Sequence, residues 1–135
     1  MNVVAQTTLR ILHLEDDPSD AYLARRAIEM SSLSADITLV HSREEFLAAL
    51  TQEPPWDIVV ADNALPTFTS REALALLRER SPSTPLIVLS GAGEEDQIVG
   101  SLQDGVADYV LKDHLPQLLV SIHRLRLTAA QKPRP

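Results

Sequence analysis

At Ile58-Val59-Val60-Ala61-Asp62-Asn63-Ala64-Leu65-Pro66, a β-branched apolar run stops at a carboxylate, and a proline follows. The apolar run predicts a buried β-strand. Ligand sites of open α/β sheets lie beyond the carboxyl ends of the strands, so Asp62 is placed to meet a small molecule or an ion. Pro66 stiffens the outgoing loop. Taken alone, Asp62 is explained equally well as a turn residue, and the ends of the other strands must decide between the two interpretations.

Four more apolar runs lie along the chain, and helical periodicity follows each of the five. The predicted strands cover 9–14, 37–41, 58–61, 86–89 and 109–111. Alternation of this kind predicts an α/β fold, a doubly wound five-stranded parallel sheet with helices on both faces. The crossovers should be right-handed. We expect one domain over 9–130, an N-terminal extension over 1–8 and a flexible tail over 131–135.

The first predicted helix carries clear signals for its start and for its buried face. Pro18 fits its first position, with Asp17 as the N-cap and Asp20 as an acidic residue of the first turn. Apolar spacing predicts that the helix buries Leu23, Ala27 and Met30, flanked by Ala24 and Ile28.

Capping residues and one glycine place the other helices. Ser42 and Thr69 each precede a glutamate by three residues, the spacing of a capping box. The fourth helix is predicted over 94–103, with Gly105 as its C-terminal stop. Its inward residues are expected to be Ile98, Val99 and Leu102.

Composition and charge exclude several classes of protein. With no cysteine, the 135-residue chain builds neither a disulfide framework nor a thiolate zinc site. A net charge of −7 opposes attraction to a phosphate backbone, so we expect no nucleic-acid partner. The first eight residues do not resemble a signal peptide, and no apolar run is long enough to span a bilayer. We therefore expect a cytoplasmic protein with no membrane partner. The four histidines are scattered and predict no metal site.

Polar side chains follow four of the predicted strands. Acids crowded at the edge of a buried sheet repel one another unless a cation joins them, and hard oxygen ligands suit Mg²⁺ or Mn²⁺. A metal, an amine and a hydroxyl around one carboxylate are what phosphoryl transfer to that carboxylate requires. The residues concerned are Glu15, Asp16 and Asp17 after the first strand, Asp62 after the third, Ser90 after the fourth and Lys112 after the fifth.

Four segments together resemble the receiver domains of bacterial two-component response regulators, in the order and at the intervals of that family. They are Ile-Leu-His-Leu-Glu-Asp-Asp-Pro at 11–18, Val-Ala-Asp-Asn-Ala-Leu-Pro at 60–66, Val-Leu-Ser-Gly at 88–91 and Asp-Tyr-Val-Leu-Lys at 108–112. The resemblance covers nearly the whole chain. It implies a flavodoxin-like (βα)₅ fold and a stand-alone regulator similar to the chemotaxis regulators.

The resemblance also implies roles for individual residues. Asp62 looks like the phosphoacceptor, Lys112 its ion-pair partner and Ser90 the hydroxyl that binds the phosphoryl group. The metal-holding pair is then Glu15 and Asp16, with Asp62 and the backbone carbonyl of Ala64 as further ligands to Mg²⁺ or Mn²⁺. Two further residues keep two interpretations each. Asp17 is either a helix cap or a metal ligand, and Tyr109 is either a switch aromatic or a half-buried core residue.

A receiver of this kind is a signalling switch that catalyses only its own phosphorylation and dephosphorylation. The resemblance implies that a sensor histidine kinase or a histidine phosphotransfer protein donates the phosphoryl group. The readout would be contact with another protein, or with a second copy of the chain, through the fourth helix, fifth strand and fifth helix.

The chain departs from the family pattern at a few positions. Ser70 stands where the family usually has glycine, and Asp113 follows Lys112 where a proline with a cis peptide bond is usual. Ala64 and Ala92 occupy positions whose side chains often tune dephosphorylation, and neither orients a water molecule.

Three alternative functions share part of this pattern. A haloacid-dehalogenase-type phosphatase needs a second aspartate two residues after the first, where Ala64 stands. A flavodoxin-like flavin binder places phosphate after the first strand, where three carboxylates would repel it. A degenerate receiver acting as a constitutive interaction module is disfavoured by the presence of Asp62, Ser90 and Lys112.

Overall fold

Five parallel strands form one sheet in the order β2-β1-β3-β4-β5 in the computed structural model, which describes residues 8–63, 65–66, 68–94 and 98–131. This arrangement confirms the predicted α/β fold. The strands are β1 (Leu9–Leu14), β2 (Ala35–Val40), β3 (Ile58–Asp62), β4 (Leu86–Ser90) and β5 (Asp108–Leu111). The helices are α1 (Pro18–Glu29), α2 (Arg43–Ala49), α3 (Ser70–Arg80), α4 (Ile98–Asp104) and α5 (Leu115–Gln131).

The strand register brings the carboxyl ends of the central strands to one edge of the sheet. Asp62 at the end of β3 is paired with Leu89 of β4. Ser90 at the end of β4 is paired with Leu111 of β5, and its carbonyl accepts a hydrogen bond of 2.8 Å from the backbone N–H of Lys112. The polar residues that follow the strands therefore share this edge.

Two apolar cores lie on opposite faces of the sheet because successive side chains of a strand point to opposite sides. In β1, Leu12 and Leu14 belong to one core and Leu9 and Ile11 to the other. The first core includes Phe46 of α2, Trp56, Phe68 and the α3 residues Ala73, Leu74 and Leu77. The second includes Ala24 and Ile28 of α1 with Leu118 and Ile122 of α5.

Helix capping follows the sequence closely. The Thr69 side chain accepts from the backbone N–H of Glu72, whose carboxylate accepts from the backbone N–H of Thr69, so the predicted capping box forms. The Ser42 hydroxyl caps α2, but the Glu45 carboxylate accepts from the backbone N–H of His41 instead. Gly105 follows α4 with a φ of 103°, a left-handed conformation that favours glycine.

The predicted buried face of α1 is confirmed at Ala24 and Ile28 but wrong at Leu23 and Met30. Leu23 and Met30 are 52% and 72% exposed, whereas Ala21, Ala24 and Ile28 are buried. The periodicity of the larger apolar residues suggested the other face. Small side chains at 21 and 24 let the helix backbone approach the sheet, so the alanine face packs inward.

The prediction for α4 is also wrong at Leu102, which is 48% exposed. Asp104 of this helix faces α3, where its carboxylate binds Arg71 at 2.7 Å and its carbonyl accepts from Arg78. Residues two apart on a helix point in nearly opposite directions. Leu102 therefore faces solvent when Asp104 faces α3. The side chains of 98 and 99 lie outside the described residues.

The remaining predictions agree with the structure only in part. Among the described residues the cis peptide bond joins Glu53 to Pro54, and the Lys112–Asp113 bond is trans. Gln131, the first residue of the predicted tail, is the last residue of α5. The predicted extension over 1–8 and the rest of the tail lie almost wholly outside the described residues. Within the described ranges, no helix has both the length and the apolar character needed to cross a bilayer.

Candidate functional site

Three predicted site residues come together at the carboxyl edge of the sheet. Glu15 follows β1, Asp62 ends β3 and Lys112 follows β5. The Lys112 Nζ lies 3.1 Å from Asp62 Oδ2 and 3.1 Å from Glu15 Oε1. Glu15 and Asp62 are only 1% and 4% exposed. Buried carboxylates need a counter-charge, and the lysine supplies one.

Asp20 is a fourth charged residue at this edge of the sheet, and it was not predicted as a site residue. Its Oδ2 lies 2.7 Å from Lys112 Nζ, shorter than the two other contacts of that ammonium. A place in the acidic first turn of α1 already explains a carboxylate at Asp20 without a partner. The signal that could have found it is the short connection between β1 and α1, which lays the first turn of the helix over the strand ends. We refer to Glu15, Asp20, Asp62 and Lys112 as the charge cluster.

Carboxylate oxygens suited to a divalent metal lie beside the charge cluster. Glu15, Asp16 and Asp62 each offer one carboxylate oxygen, and these oxygens all lie within 4.8 Å of one another. Hard anionic oxygens at this spacing fit Mg²⁺ or Mn²⁺. Asp16 is exposed, which leaves this corner open to solvent. The carbonyl of Ala64, predicted as a further ligand, lies outside the described residues.

Asp17 is engaged in the cap of α1. Its Oδ1 accepts hydrogen bonds from the backbone N–H groups of Ser19 at 2.8 Å and Asp20 at 3.2 Å. Its own N–H donates to Glu15 Oε2 at 3.3 Å. Of the two interpretations left open by the sequence, capping is the one that the structure displays.

Burial and charge shift the protonation of the cluster. Burial and the neighbouring Asp62 raise the pKa of Glu15 to about 7, although Lys112 and the Asp17 N–H act in the opposite direction. Burial lowers the pKa of Lys112, but its bonds to Asp20 and Glu15 and the charge of Asp62 outweigh burial and raise that pKa overall. Lys112 therefore stays an ammonium at neutral pH, whereas Glu15 is partly protonated there.

His13, one of the four histidines for which no metal site was predicted, is buried in β1 next to the charge cluster. It is 3% exposed, and its Nε2 has no hydrogen-bond partner among the described residues. Burial and the positive charge of Lys112 lower the pKa of His13 to about 4. The ring is therefore neutral at neutral pH and adds no charge to the site.

Ser90 and Tyr109 lie on the β4–β5 side of the same edge. Ser90 is fully buried, and its hydroxyl donates to the carbonyl of Gly91 at 3.2 Å. Tyr109 is half-buried with its ring against the core of the α2–α3 face, and its hydroxyl donates to the carbonyl of Glu94 at 3.2 Å. The ring therefore points inward and contacts the loop that follows β4.

Glu94 was predicted only as the start of a helix, yet it joins two loops in the structure. Its Oε1 accepts from Asn63 Nδ2 at 3.3 Å and from the backbone N–H of Gly91 at 3.4 Å. The Oδ1 of Asn63 in turn accepts from the hydroxyl of Ser70 at 2.8 Å. No motif in the sequence links these residues, because they come from different connections of the sheet.

The arrangement is chemically specific. Asp62 is a buried carboxylate that contacts the Lys112 ammonium and lies within 4.8 Å of carboxylate oxygens of Glu15 and Asp16. Such a carboxylate can act as a nucleophile toward a group that carries several negative oxygens, because the ammonium and a metal would neutralise those oxygens. The nearby hydroxyl of the Ser90 side chain offers a further donor on the neighbouring strand.

Comparison with known proteins agrees with this geometry. A family model described as the response regulator receiver domain matches residues 11–124. The chain is 31% identical over 122 residues to the nitrate/nitrite response regulator protein NarL of Escherichia coli K12, covering 88% of the chain and 55% of NarL. It is 30% identical over 99 residues to the DNA-binding transcriptional regulator NtrC of Klebsiella pneumoniae, covering 73% of the chain and 20% of NtrC.

A solved structure shows the same similarity in three dimensions. The phosphorylated cyanobacterial phytochrome response regulator RcpA superposes with a TM-score of 0.75 and 25% identity, covering 95% of this chain and all of that one. The chain thus spans about half the length of NarL and about a fifth of the length of NtrC. It matches the RcpA structure over the full length of that chain.

Proposed function

Because the chain belongs to the response regulator receiver domain family, we propose that Asp62 accepts a phosphoryl group from a phosphohistidine of a sensor kinase or of a histidine phosphotransfer protein. The observation that carries this proposal is the contact of 3.1 Å between Lys112 Nζ and the buried Oδ2 of Asp62. That contact holds a carboxylate and a cation together at the sheet edge, where a phosphoryl group could reach both.

The transfer step itself is a nucleophilic displacement at phosphorus. A carboxylate oxygen of Asp62 forms the new P–O bond while the P–N bond to the donor imidazole breaks. The electron pair of the P–N bond stays on the imidazole nitrogen, which takes up a proton. The product is an acyl phosphate on Asp62.

Glu15, Asp16 and Asp62 would hold Mg²⁺ or Mn²⁺, which supplies charge neutralisation for the phosphoryl oxygens. Their oxygens lie within 4.8 Å of one another, a spacing that supports this role. Lys112 stays protonated and binds a phosphoryl oxygen as a point charge. The buried hydroxyl of Ser90 donates to another oxygen once it leaves the carbonyl of Gly91.

The phosphorylated state would be read by contact with another protein or with a second copy of the chain through α4, β5 and α5. Tyr109 lies in this region, and Lys112 connects β5 to the site. A tenfold preference of a partner for one state needs about 1.4 kcal/mol of differential contact. Repacking of a few side chains around Tyr109 supplies an energy of that size.

This function makes the protein a phosphorelay switch in the cytoplasm, with no turnover of an external substrate. The family assignment favours a receiver over the haloacid-dehalogenase-type phosphatase and the flavin binder. The intact set of Asp62, Ser90 and Lys112 favours an active receiver over a constitutive interaction module.

Intact mass after incubation with Mg²⁺ and acetyl phosphate tests the proposal. We expect the wild-type chain to gain one phosphoryl group, and Asp62→Asn to gain none, because an amide does not attack phosphorus. Asp36→Asn, which alters an exposed aspartate of the edge strand β2, is the matched control and should label like the wild type. Equal labelling of Asp62→Asn would place the acceptor elsewhere.

A further inference from the structure

A chain of hydrogen bonds connects the loop after β3 with the loop after β4. The hydroxyl of Ser70 donates to Asn63 Oδ1 at 2.8 Å, and Asn63 Nδ2 donates to Glu94 Oε1 at 3.3 Å. The backbone N–H of Gly91 donates to the same Oε1 at 3.4 Å, and the Tyr109 hydroxyl donates to the Glu94 carbonyl at 3.2 Å. We refer to these residues together as the Glu94 chain.

The donors and acceptors of the Glu94 chain can be assigned in only one way. A carboxylate only accepts hydrogen bonds, so Asn63 must turn its NH₂ group toward Glu94. The amide oxygen of Asn63 then faces Ser70, whose hydroxyl must donate. Rotation of the Asn63 amide would break both bonds at once, so the two ends of the chain depend on each other.

The Glu94 chain runs from the residue next to Asp62 to Tyr109 of β5. Asn63 is adjacent to Asp62, and its backbone N–H donates to the carbonyl of Leu89 in β4 at 2.8 Å. Ser70 is 6% exposed and is the first residue of α3. The family usually has glycine at this position, which has no hydroxyl, so this connection to α3 is a property of this chain.

We propose that Ser70 and Glu94 are positioning residues that fasten the loop after β4 to the loop after β3 and thereby hold the Tyr109 ring inward. The part that concerns signalling rests on the proposed function of Asp62: a change at Asp62 moves Asn63, releases or tightens Glu94, and reaches Tyr109. Two of the bonds, at 3.3 and 3.4 Å, are longer than the usual upper limit of about 3.2 Å, so the chain opens easily.

Fluorine NMR of protein labelled with 3-fluorotyrosine tests the first part. The chain has two tyrosines, so the spectrum has one signal from Tyr109 and one from Tyr22, which is 58% exposed on α1 and serves as an internal reference. In unphosphorylated protein, we expect Ser70→Ala and Glu94→Ala each to shift the Tyr109 signal and to leave Tyr22 unchanged. Unshifted Tyr109 signals in both variants would overturn the proposal.

Conservative and control variants separate positioning from general packing. Ser70→Thr keeps the hydroxyl and Glu94→Gln keeps an acceptor oxygen, so both should retain a Tyr109 signal close to that of the wild type. Ser101→Ala changes a serine of α4 that lines the same cavity of about 390 Å³ as Ser70, and it should shift neither tyrosine. A shift in Ser101→Ala as large as in Ser70→Ala would show that packing, not the hydrogen bond, moves the ring.

The double variant Ser70→Ala/Glu94→Ala tests whether the two residues act through one chain. Because either single change already breaks the connection, we expect the Tyr109 shift of the double variant to be smaller than the sum of the single shifts. A simple sum would show that the residues act independently and would overturn the proposal.

Addition of Mg²⁺ and beryllofluoride, a phosphoryl mimic, tests the signalling part. We expect the beryllofluoride-induced shift of the Tyr109 signal to fall at least twofold in both alanine variants. In a separate incubation with Mg²⁺ and acetyl phosphate, phosphoryl uptake measured by intact mass should stay at the wild-type level in both. A full response in the variants would overturn this part. If the wild-type chain takes up no phosphoryl group, the proposed function of Asp62 fails, whereas the shifts in unphosphorylated protein still decide whether the chain positions Tyr109.

Discussion

The charge cluster and the Glu94 chain lie on the same edge of the sheet but are built differently. In the charge cluster, one ammonium contacts three carboxylates at 2.7 to 3.1 Å, and two of those carboxylates are almost fully buried. In the Glu94 chain, part-buried hydrogen bonds of 2.8 to 3.4 Å join the loops after β3 and β4 to the start of α3 and to Tyr109 of β5.

This difference suits the charge cluster to binding charged groups in a fixed geometry and the Glu94 chain to a change of conformation. Removal of one partner from a buried ion pair leaves an uncompensated charge and costs about 3–5 kcal/mol, so the charge cluster holds its atoms in fixed places. A hydrogen bond between partly exposed groups contributes only about 0.5–1.5 kcal/mol net, so the Glu94 chain can open and close at moderate cost. A fixed site beside a loosely held loop suits the phosphorylation switch proposed above.

The largest effect is expected when the charge cluster loses its cation. Lys112→Met should lower the free energy of unfolding at pH 7 by about 3 kcal/mol, the lower end of the buried-pair range, because the Lys112 side chain is 22% exposed. Urea unfolding measures this change. The matched control is Arg25→Met, whose partner Glu29 lies 3.6 Å away on the exposed face of α1; we expect a loss of about 0.5 kcal/mol or less there. Similar losses in both variants would show that the ion pairs of the charge cluster stabilise the fold no more than an exposed pair does.

A second, smaller effect concerns pH and Mg²⁺. The pKa of Glu15 rises from 4.5 to about 7 on folding, so in metal-free protein its contribution to stability is full below pH 4.5 and is lost as the pH rises through 7. At pH 8 the buried carboxylate should destabilise the fold relative to Glu15→Gln, on the order of 2 kcal/mol. Mg²⁺ should restore the stability of the wild type at pH 8 but have little effect at pH 5, where Glu15 is protonated.

Glu15→Gln is the necessary comparison because His13 responds to pH in the opposite direction. The lowered pKa of His13 gives stability that is present above pH 6.5 and is lost as the pH falls toward 4. Thermal unfolding of both proteins from pH 5 to 8, with and without Mg²⁺, isolates the contribution of Glu15. Parallel curves without Mg²⁺ would contradict the raised pKa.

The smallest effect is expected in the Glu94 chain. Tyr109→Phe removes the hydroxyl that donates to the Glu94 carbonyl and keeps the ring, so the free energy of unfolding should fall by about 1 kcal/mol or less. Phosphoryl uptake should remain at the wild-type level, because the hydroxyl that is removed donates to the Glu94 carbonyl and supplies neither the acceptor carboxylate nor its cation. A loss of uptake in this variant, measured by intact mass, would show that the two regions are not separable.

Much of this architecture follows from the sequence because strand ends are marked by local chemistry. β1 ends where its apolar run stops, and Asp62, Ser90 and Lys112 each follow such a run. Parallel strands bring their carboxyl ends together, so residues far apart in sequence meet without any further signal. Thr69 was predictable for a similar reason, since a capping box is complete within one helical turn.

Other features were missed because they depend on packing between elements. Asp20 satisfies the first turn of α1 by itself, and nothing local indicates that Lys112 reaches it from β5. Leu23 and Leu102 fit an inward apolar period, but α1 packs inward with its alanine face and α4 turns Asp104 toward α3. Glu94 acts through partners in other connections of the chain.

Amide hydrogen exchange with and without Mg²⁺ and beryllofluoride tests most directly whether the charge cluster controls the Glu94 chain. We expect protection to change mainly between Gly91 and Leu119, with the amide of Tyr109 among the affected sites, and Asp62→Asn should show no such change. Changes confined to the loop around Asp62, with Tyr109 unaffected, would contradict the coupling of the two regions.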